Sequence, residues 1–350
     1  MVDDAPLMRK VIRQILDVQG AIEVVGTAVN GSECLEMIPE LKPDVITLDI
    51  DMPVMNGITA IKNIMVRHQI PIVIISSLVQ DGYFAFEALR LGVMDFVPKP
   101  SKVAAENWEA EEELIRMRVR VASGMQVHRM RRVRRLGRPN AARARNEGPL
   151  PALVVMGTTL AGPNTIMHIA TQLESDFPGA VIAVQEIHPR ILGPFCASFN
   201  EISPLEVVPV TENCPLCAGR IYMGSLSTGL KIRPASNGSG EWVLEVNKPG
   251  EQPIDELFKS AALHFGERSC SVLLTGIGTD GASGMRRVKD EGGLTIAQAQ
   301  ECSVYPNLVE NAVQQGVVDL LVSNHEIAQS LNSWVFGSLC SREESRERKA

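Results

Sequence analysis

Acidic side chains follow short apolar runs near the start of this sequence. Asp3 and Asp4 precede a helical pattern, and Asp49 ends an apolar run that continues as Asp-Met-Pro at 51–53. Three converging carboxylates repel one another unless a cation lies among them, and Mg²⁺ prefers oxygen ligands with room for water. A carboxylate beside Mg²⁺ can attack a phosphoryl group in line. The spacing therefore predicts a site that accepts a phosphoryl group.

Later apolar runs end in a hydroxyl and an ammonium group. Ser76 and Ser77 follow one run, and Lys99 with Pro100 follows the next. A serine hydroxyl can hydrogen-bond a phosphoryl group, and a lysine can neutralise the charge on its equatorial oxygens. A single aspartate at a strand end is commonly a helix cap or a turn residue, but that interpretation does not account for the whole combination.

The second half of the chain carries different groups at three turns marked by glycine. A hydroxyl at Thr159, a base after a second strand and Asp280 after a third would form a nucleophile, a base and an orienting group. The glycine-rich turn at 157–163 lacks both the G-x-G-x-x-G spacing and a Walker lysine, so it does not favour a nucleotide site.

Short apolar strands alternate with helices in both halves, which predicts an α/β fold with two doubly wound parallel sheets. Chemistry in such sheets lies at the carboxyl ends of the strands. The first half predicts helices over 7–16, 32–41, 57–68 and 84–91 and strands over 22–29, 44–49, 70–76 and 93–97. The second half predicts strands over 152–156, 180–184, 271–274 and 294–298 and helices over 254–265 and 284–290.

Length and composition limit the class of protein. A chain of 350 residues with 45% hydrophobic residues predicts two domains and excludes a disordered or collagenous protein. No run approaches the roughly 18 apolar residues that span a bilayer, so we expect no membrane insertion. Seven cysteines, an odd number, fit reduced thiols. Together with the lack of a basic-then-apolar leader, this predicts a cytoplasmic location.

Eleven arginines and no acidic residue lie between Arg116 and Asn146. The segment is interpreted as a solvated hinge between two acidic halves, and a docking strip for an acidic partner is the alternative. No aromatic residues are interleaved, which argues against a nucleic-acid partner. The predicted boundaries are a first domain at 1–104, a helix and arginine-rich linker at 105–150, a second domain at 151–340 and a disordered tail at 341–350.

Cys214 and Cys217 form a C-x-x-C pair. One such pair cannot complete a tetrahedral zinc site, and no second pair lies nearby in the sequence. The pattern alone therefore does not establish a metal-binding or redox role.

Residues 1–104 resemble a response-regulator receiver domain, which has a flavodoxin-like fold. The resemblance implies that Asp49 accepts a phosphoryl group from a sensor histidine kinase. It also implies Mg²⁺ ligation by Asp3, Asp4, Asp49 and the backbone carbonyl of Asp51, phosphoryl sensing by Ser76 and Lys99, and an aromatic switch at Phe96.

One departure from the receiver pattern concerns the first strand. The family has a full apolar strand before the acidic pair, whereas this chain has only Met1 and Val2. Loss of an interior strand would leave unpaired backbone groups and a cavity. Either the start of the chain lies upstream or the domain is damaged, and we expect the former because the other receiver motifs are present.

The second half resembles the catalytic domain of the chemotaxis protein-glutamate methylesterases, the CheB family, a Rossmann-like α/β fold. The resemblance rests on the turn at 157–163, the pair 184–185, the segments 219–222 and 255–258, the run 273–282 and the pair 297–298. It implies hydrolysis of glutamyl methyl esters and deamidation of glutamines on methyl-accepting chemoreceptors. It further implies a receiver that covers the active site until it is phosphorylated, with no cofactor in the C-terminal domain.

The catalytic triad of that family is only partly present. Thr159 and Glu186 stand where the family has serine and histidine, and only Asp280 matches. The extra methyl group of threonine crowds attack. A glutamate with a reference pKa near ~4.3 is a weak base at neutral pH and cannot donate a hydrogen bond to aspartate. His188, two positions later on an extended strand, would face the same way and offers a substitute base.

Two interpretations of the second domain remain open. One is a phosphorylation-gated methylesterase and glutaminase. The other is a catalytically inactive relative that acts as a phospho-switched interaction protein, because Thr159 and Glu186 replace the serine and histidine.

Overall fold

The computed structural model describes residues 1–17, 20–77, 82–100, 108–130, 133, 150–236 and 240–347. It divides the chain into two compact units, residues 1–132 and 133–350. Most of the arginine-rich linker, residues 134–149, lies outside the described residues. Both units contain parallel sheets flanked by helices, which confirms the α/β class.

The first unit is built on a three-stranded parallel sheet. Its strands, in spatial order, are β1 (Ile46–Leu48), β2 (Ile72–Ser76) and β3 (Asp95–Pro98). Every residue of β1 and β2 is buried, as expected for parallel strands covered on both faces. The helices are α1 (Pro6–Leu16), α2 (Gly31–Leu41), α3 (Gly57–Arg67), α4 (Gly82–Leu91) and α5 (Trp108–Ser123).

The strand predicted over 22–29 does not form. Val2 makes isolated parallel bridges to Ala28 and to Leu48 of β1. A single residue therefore occupies the position between these two segments that a full strand would take. Beside Val2, a groove is lined by residues 22–28 on one side and by residues of 43–47 on the other. Among the described residues the segment has no neighbouring strand, so no ladder of hydrogen bonds to them holds it as a strand.

Helix α5 packs within the first unit, so this unit extends beyond the boundary predicted at 104. Its buried residues are Ile115, Val119 and Ala122. Arg118 Nε lies 3.1 Å from Asp95 Oδ2, which ties the helix to β3.

The second unit is built on a seven-stranded, wholly parallel sheet with the order β13-β12-β11-β4-β5-β8-β6. A small antiparallel sheet has the order β7-β10-β9. The strands are β4 (Leu153–Gly157), β5 (Ala180–Gln185), β6 (Glu206–Pro209), β7 (Cys214–Pro215), β8 (Arg220–Ser225), β9 (Gly229–Pro234), β10 (Trp242–Asn247), β11 (Ser269–Leu273), β12 (Leu294–Gln298) and β13 (Leu320–Val322). The helices are α6 (Gly162–Ala170), α7 (Pro189–Phe199), α8 (Pro253–Phe265), α9 (Ala282–Asp290), α10 (Asn307–Gln314) and α11 (Asn324–Glu347).

Helix α11 continues to Glu347, which corrects the disordered tail predicted from residue 341. The segment was expected to be unstructured because of its charge. Arginine and glutamate have high intrinsic helix propensity, so a charged composition alone does not exclude a helix.

The direction of winding reverses at β4. Strand β5 lies on one side of β4, and β11 lies on the other. Open parallel sheets bind ligands outside the carboxyl ends of the strands at such a switch point. A functional site in this unit is therefore expected at the loops after β4 and β11.

Candidate functional site

An acidic cluster lies at the carboxyl edge of the first sheet. Asp3 N–H donates to Ala28 O at 3.1 Å, and Asp49 N–H donates to Val2 O at 3.0 Å. Asp3 and Asp49 are buried, whereas Asp4 is exposed. One carboxylate oxygen from each aspartate lies within 4.8 Å of the other two. The fold thus brings three predicted Mg²⁺ ligands together, and this all-oxygen set fits a small divalent cation.

Lys99 binds two carboxylates of this cluster. Its Nζ lies 2.5 Å from Oδ2 of Asp49 and 2.7 Å from Oδ2 of Asp3. Burial raises the pKa of Asp3, and the bond and charge of Lys99 oppose that shift. Burial alone would lower the pKa of Lys99, but its bonds to both aspartates outweigh burial and raise that pKa. Lys99 therefore stays cationic beside the predicted phosphoacceptor.

The remaining predicted receiver residues follow or lie in the same strands. Ser76 ends β2, is fully buried, and its carbonyl accepts a bond from Lys99 N–H at 3.1 Å. Phe96 lies buried in β3. Asp51 follows Asp49 by two residues and its side chain is exposed, so it is not in the buried part of the cluster.

Two threonines after β4 bond to the loop after β11. Thr158 Oγ1 donates to Thr275 O at 2.6 Å. Thr159 Oγ1 accepts a bond from Ile277 N–H at 2.7 Å and donates to Ile277 O at 3.2 Å. A Cβ on Gly276 would collide with Thr159 Oγ1, so glycine is required beside this hydroxyl. The structure thus places Thr159 at the switch point of the sheet, where the backbone N–H and carbonyl of Ile277 bond its hydroxyl.

Asp280 bonds to the start of helix α8. Its Oδ2 accepts from Ile254 N–H at 2.9 Å, and its Oδ1 accepts from Asp255 N–H at 2.8 Å. Burial raises the pKa of Asp280, these two bonds lower it, and the charge of Asp255 adds to the increase. Asp280 satisfies amides that a helix leaves without partners, which is a structural task in its own right.

Glu186 and His188 follow strand β5, the neighbour of β4. Glu186 is half-buried directly after the strand. His188 caps helix α7, and its Nδ1 accepts a bond from Arg190 N–H at 3.2 Å. Burial and the charge of Arg190 lower the pKa of His188, so its imidazole is neutral at pH 7. Only Nε2 of this ring remains for proton transfer.

Sequence reasoning missed the side chains that fix the loop after β11. Gln298, fully buried at the end of β12, accepts from Thr275 N–H at 2.7 Å. Asn307 accepts from Gly278 N–H at 2.9 Å, and Asn311 donates to Gly278 O at 2.7 Å. A glutamine at the end of an apolar strand was a signal for the first of these, but no pattern marks the two asparagines.

These features define a unit with a cluster of carboxylates and a lysine, joined in one chain to an α/β unit with a hydroxyl at its switch point. Residues 1–105 match the response regulator receiver domain model, and residues 154–331 match the CheB methylesterase model. The chain therefore belongs to the CheB methylesterase family of chemotaxis response regulators. Within the described residues, no helix combines the length and the apolar character needed to cross a membrane.

Similar proteins cover nearly the whole chain. A protein-glutamate methylesterase/protein-glutamine glutaminase of Pyrococcus horikoshii is 32% identical over 95% of this chain and 91% of the relative. One from Archaeoglobus fulgidus is 34% identical over 95% and 96%, respectively. The crystal structure of the Thermotoga maritima CheB methylesterase catalytic domain matches 52% of this chain and 97% of that domain, at 24% identity and a TM-score of 0.49.

Proposed function

We propose that this chain is a methylesterase and glutaminase of chemoreceptor glutamyl groups, controlled by phosphorylation of Asp49. A sensor histidine kinase is the phosphodonor, and methyl-accepting chemoreceptors supply the substrate. The relatives with that activity in their names support the proposal. The observation that carries it is the Thr159 hydroxyl at the switch point. The free cysteines among the described residues fit a cytoplasmic location.

In the first unit, Asp49 is proposed as the nucleophile for the phosphoryl group. Asp3, Asp4, Asp49 and the backbone carbonyl of Asp51 would hold Mg²⁺, which when bound neutralises charge on the phosphoryl oxygens. Lys99 already bonds Asp49 and would follow the new negative charge. Ser76 would bond the phosphoryl group, and Phe96 would respond to the movement of Ser76.

A labelling experiment tests this half of the proposal. Acetyl phosphate with Mg²⁺ should phosphorylate the full chain, and Asp49→Ala should abolish the label. Asp51→Ala is the matched control, because a backbone carbonyl is retained in that variant. A label that persists in Asp49→Ala would refute the assignment of the phosphoacceptor.

In the second unit, Thr159 is proposed as the nucleophile, with Glu186 as its base. The hydroxyl oxygen bonds to the ester carbon, its proton passes to Glu186 and then to the departing methanol, and water hydrolyses the resulting acyl enzyme. The same steps release ammonia from a glutamine. A carboxylate is a weak base at neutral pH, so we expect slow turnover. His188 Nε2 is the alternative base, and no cofactor is proposed for this unit.

Methanol release from methylated receptors, measured with phosphorylated protein, tests the activity. Thr159→Ala should abolish release, and the double change Thr159→Ser with Glu186→His should raise the rate by about 10²-fold or more, because it restores a nucleophile and a stronger base. The matched control is Ser227→Ala, a serine after β8 outside the proposed triad. Absence of methanol release by the parent protein would refute the hydrolase proposal.

The second candidate is a phospho-switched interaction protein without turnover. Thr159 bonds Ile277, and both oxygens of Asp280 bond the start of α8, so these groups are engaged with backbone. Receptor binding that strengthens on phosphorylation, together with methanol release only in the Thr159→Ser/Glu186→His variant, would establish this function.

A further inference from the structure

The C-x-x-C pair occupies a turn that the proposed function does not use. Cys214 lies in β7 opposite Leu244 of β10, and the turn leads into β8. Leu216 and Ala218 are buried in the core, whereas Cys214 and Cys217 are half-buried free thiols. The apolar residues anchor the turn from inside, and neither cysteine is fully buried in the core.

Tyr222 fixes the backbone of this turn. Its hydroxyl accepts a bond from Cys217 N–H at 2.8 Å and donates to Pro215 O at 2.8 Å. The tyrosine is only 1% exposed, so the core holds the group that bridges the turn. A fixed backbone keeps one thiol near the other and raises its effective concentration.

The two thiols differ in their surroundings. Burial raises the pKa of Cys214, and the neighbouring Cys217 adds to that increase. Arg220, whose Nε lies 2.9 Å from Glu206 Oε2, interacts electrostatically with both thiols, so its charge does not distinguish them. The thiolate is the nucleophile in disulfide exchange, and the raised pKa of Cys214 leaves less of that sulfur in the thiolate form. Cys217 is therefore the attacking thiol and Cys214 the resolving one.

A metal site is a poorer fit to this turn. Among the described residues, the acidic cluster of the first unit is the one group of three or more His, Cys, Asp or Glu side chains placed to hold a metal ion. Structural zinc takes four ligands, and the pair supplies two.

We propose that Cys214 and Cys217 form a reversible disulfide by exchange with a small-molecule disulfide. The Cys217 thiolate bonds to one sulfur of the reagent and expels the other half as a thiolate. Cys214 then loses its proton to water, bonds to Cys217 Sγ and expels the second half. Two protein thiols are oxidised, and one small disulfide is reduced to two thiols.

Mass spectrometry of the full chain treated with hydroxyethyl disulfide tests the proposal. The peptide that contains both cysteines should become lighter by two hydrogens, and dithiothreitol should reverse the change. The buried Cys34, Cys196 and Cys270 should remain free, whereas the half-buried Cys302, which has no C-x-x-C partner, can take up the reagent but should not lose two hydrogens. Stable mixed disulfides on both Cys214 and Cys217, or links between chains through either of these two cysteines, would overturn the proposal.

Single substitutions test the order of attack. Cys214→Ser should retain the reagent on Cys217, whereas Cys217→Ser should leave Cys214 mostly unmodified. Tyr222→Phe should slow ring closure by about tenfold, because the turn loses its bridge. The matched control is Ser271→Ala, at a buried serine of β11. This variant should form the disulfide at the same rate as the parent protein. Equal reaction of the two single cysteines, or metal binding that blocks oxidation, would contradict the assignment.

Discussion

Asp280 holds two backbone amides at the start of α8, a task that does not depend on catalysis. The fold alone therefore gives a reason for an aspartate at this position. Loss of activity on removing Asp280 would not show that a triad operates, because α8 packs against β4 and β11 at the candidate site.

Removal of the Asp280 carboxylate should destabilise the second unit. We expect Asp280→Ala to lower its free energy of unfolding by about 2 kcal/mol, since two amides lose a charged acceptor. Asp280→Asn retains one acceptor oxygen and should cost about half as much. Urea unfolding measures both, and an alanine variant as stable as the parent would disprove the structural role.

Val54 has an unfavourable backbone conformation in the loop after Asp49. Its φ is +66°, and its side chain is 89% exposed. A β-branched residue rarely adopts this left-handed region, which asparagine tolerates. Val54→Asn should therefore stabilise the first unit by about 1 kcal/mol in thermal unfolding. The control Val66→Asn, on the exposed side of α3, should show no gain, and an equal gain in both variants would exclude relief of strain.

The segment at 22–29, predicted as a strand, lacks a neighbouring strand among the described residues. No backbone amide of residues 23–27 donates to any residue that the structure describes, whereas Ala28 N–H donates to Met1 O at 2.9 Å. Strand propensity alone does not hold a segment extended, because a strand requires a partner.

Hydrogen exchange should reveal this lack of pairing. We expect the amides of residues 23–27 to exchange at least tenfold faster than those of β1 and β2, because they open without breaking a ladder. Helix α2, capped by Asn30, is the internal reference for a well-formed segment. Equal protection of residues 23–27 and β2 would show that the groove is closed in solution.

The edge of the second sheet is held by Asp319, which joins β12 to β13. Its Oδ2 accepts from Thr295 N–H at 3.1 Å and from Thr295 Oγ1 at 2.8 Å, and Lys289 Nζ lies 2.6 Å from Oδ1. Burial alone would raise the pKa of Asp319, but the bonds from Lys289 and Thr295 outweigh burial and lower it.

The sign of this shift predicts a pH dependence. Asp319 stabilises the fold above its unfolded pKa of about 4, and that contribution is lost as pH falls through the lower native pKa. Asp319→Asn should therefore cost about 1 kcal/mol at pH 7 and much less near ~pH 3 in urea unfolding. Asp290→Asn, an exposed aspartate of α9, is the control. A cost for Asp319→Asn that is the same at both pH values would contradict the linkage.

The molecule as a whole consists of two units with different chemistry. The first gathers three carboxylates and a lysine, and the second places hydroxyl groups at a switch point. Family membership covers both units, which accounts for their occurrence in one chain. The order of the two sites along the sequence follows from this architecture.

Local patterns were sufficient for most helices and for the receiver motif. The spacing of apolar residues predicted β12 at 294–298 and the helices α2 and α8 to within one residue of each end. Asp3, Asp4, Asp49 and Lys99 were identified because each follows or precedes an apolar run. Such features depend on neighbours within a few residues, which a sequence displays directly.

The sequence by itself determined the residue types at the strand ends and the α/β class. It did not determine that Thr159 bonds Ile277, 118 residues away, or that Asp280 serves α8. It also predicted a strand at 22–29 that lacks its partner. Pairing between distant segments depends on the packing of the whole unit. A hydrogen bond requires a donor and an acceptor about 3 Å apart, and for groups far apart in the sequence only folding brings them that close.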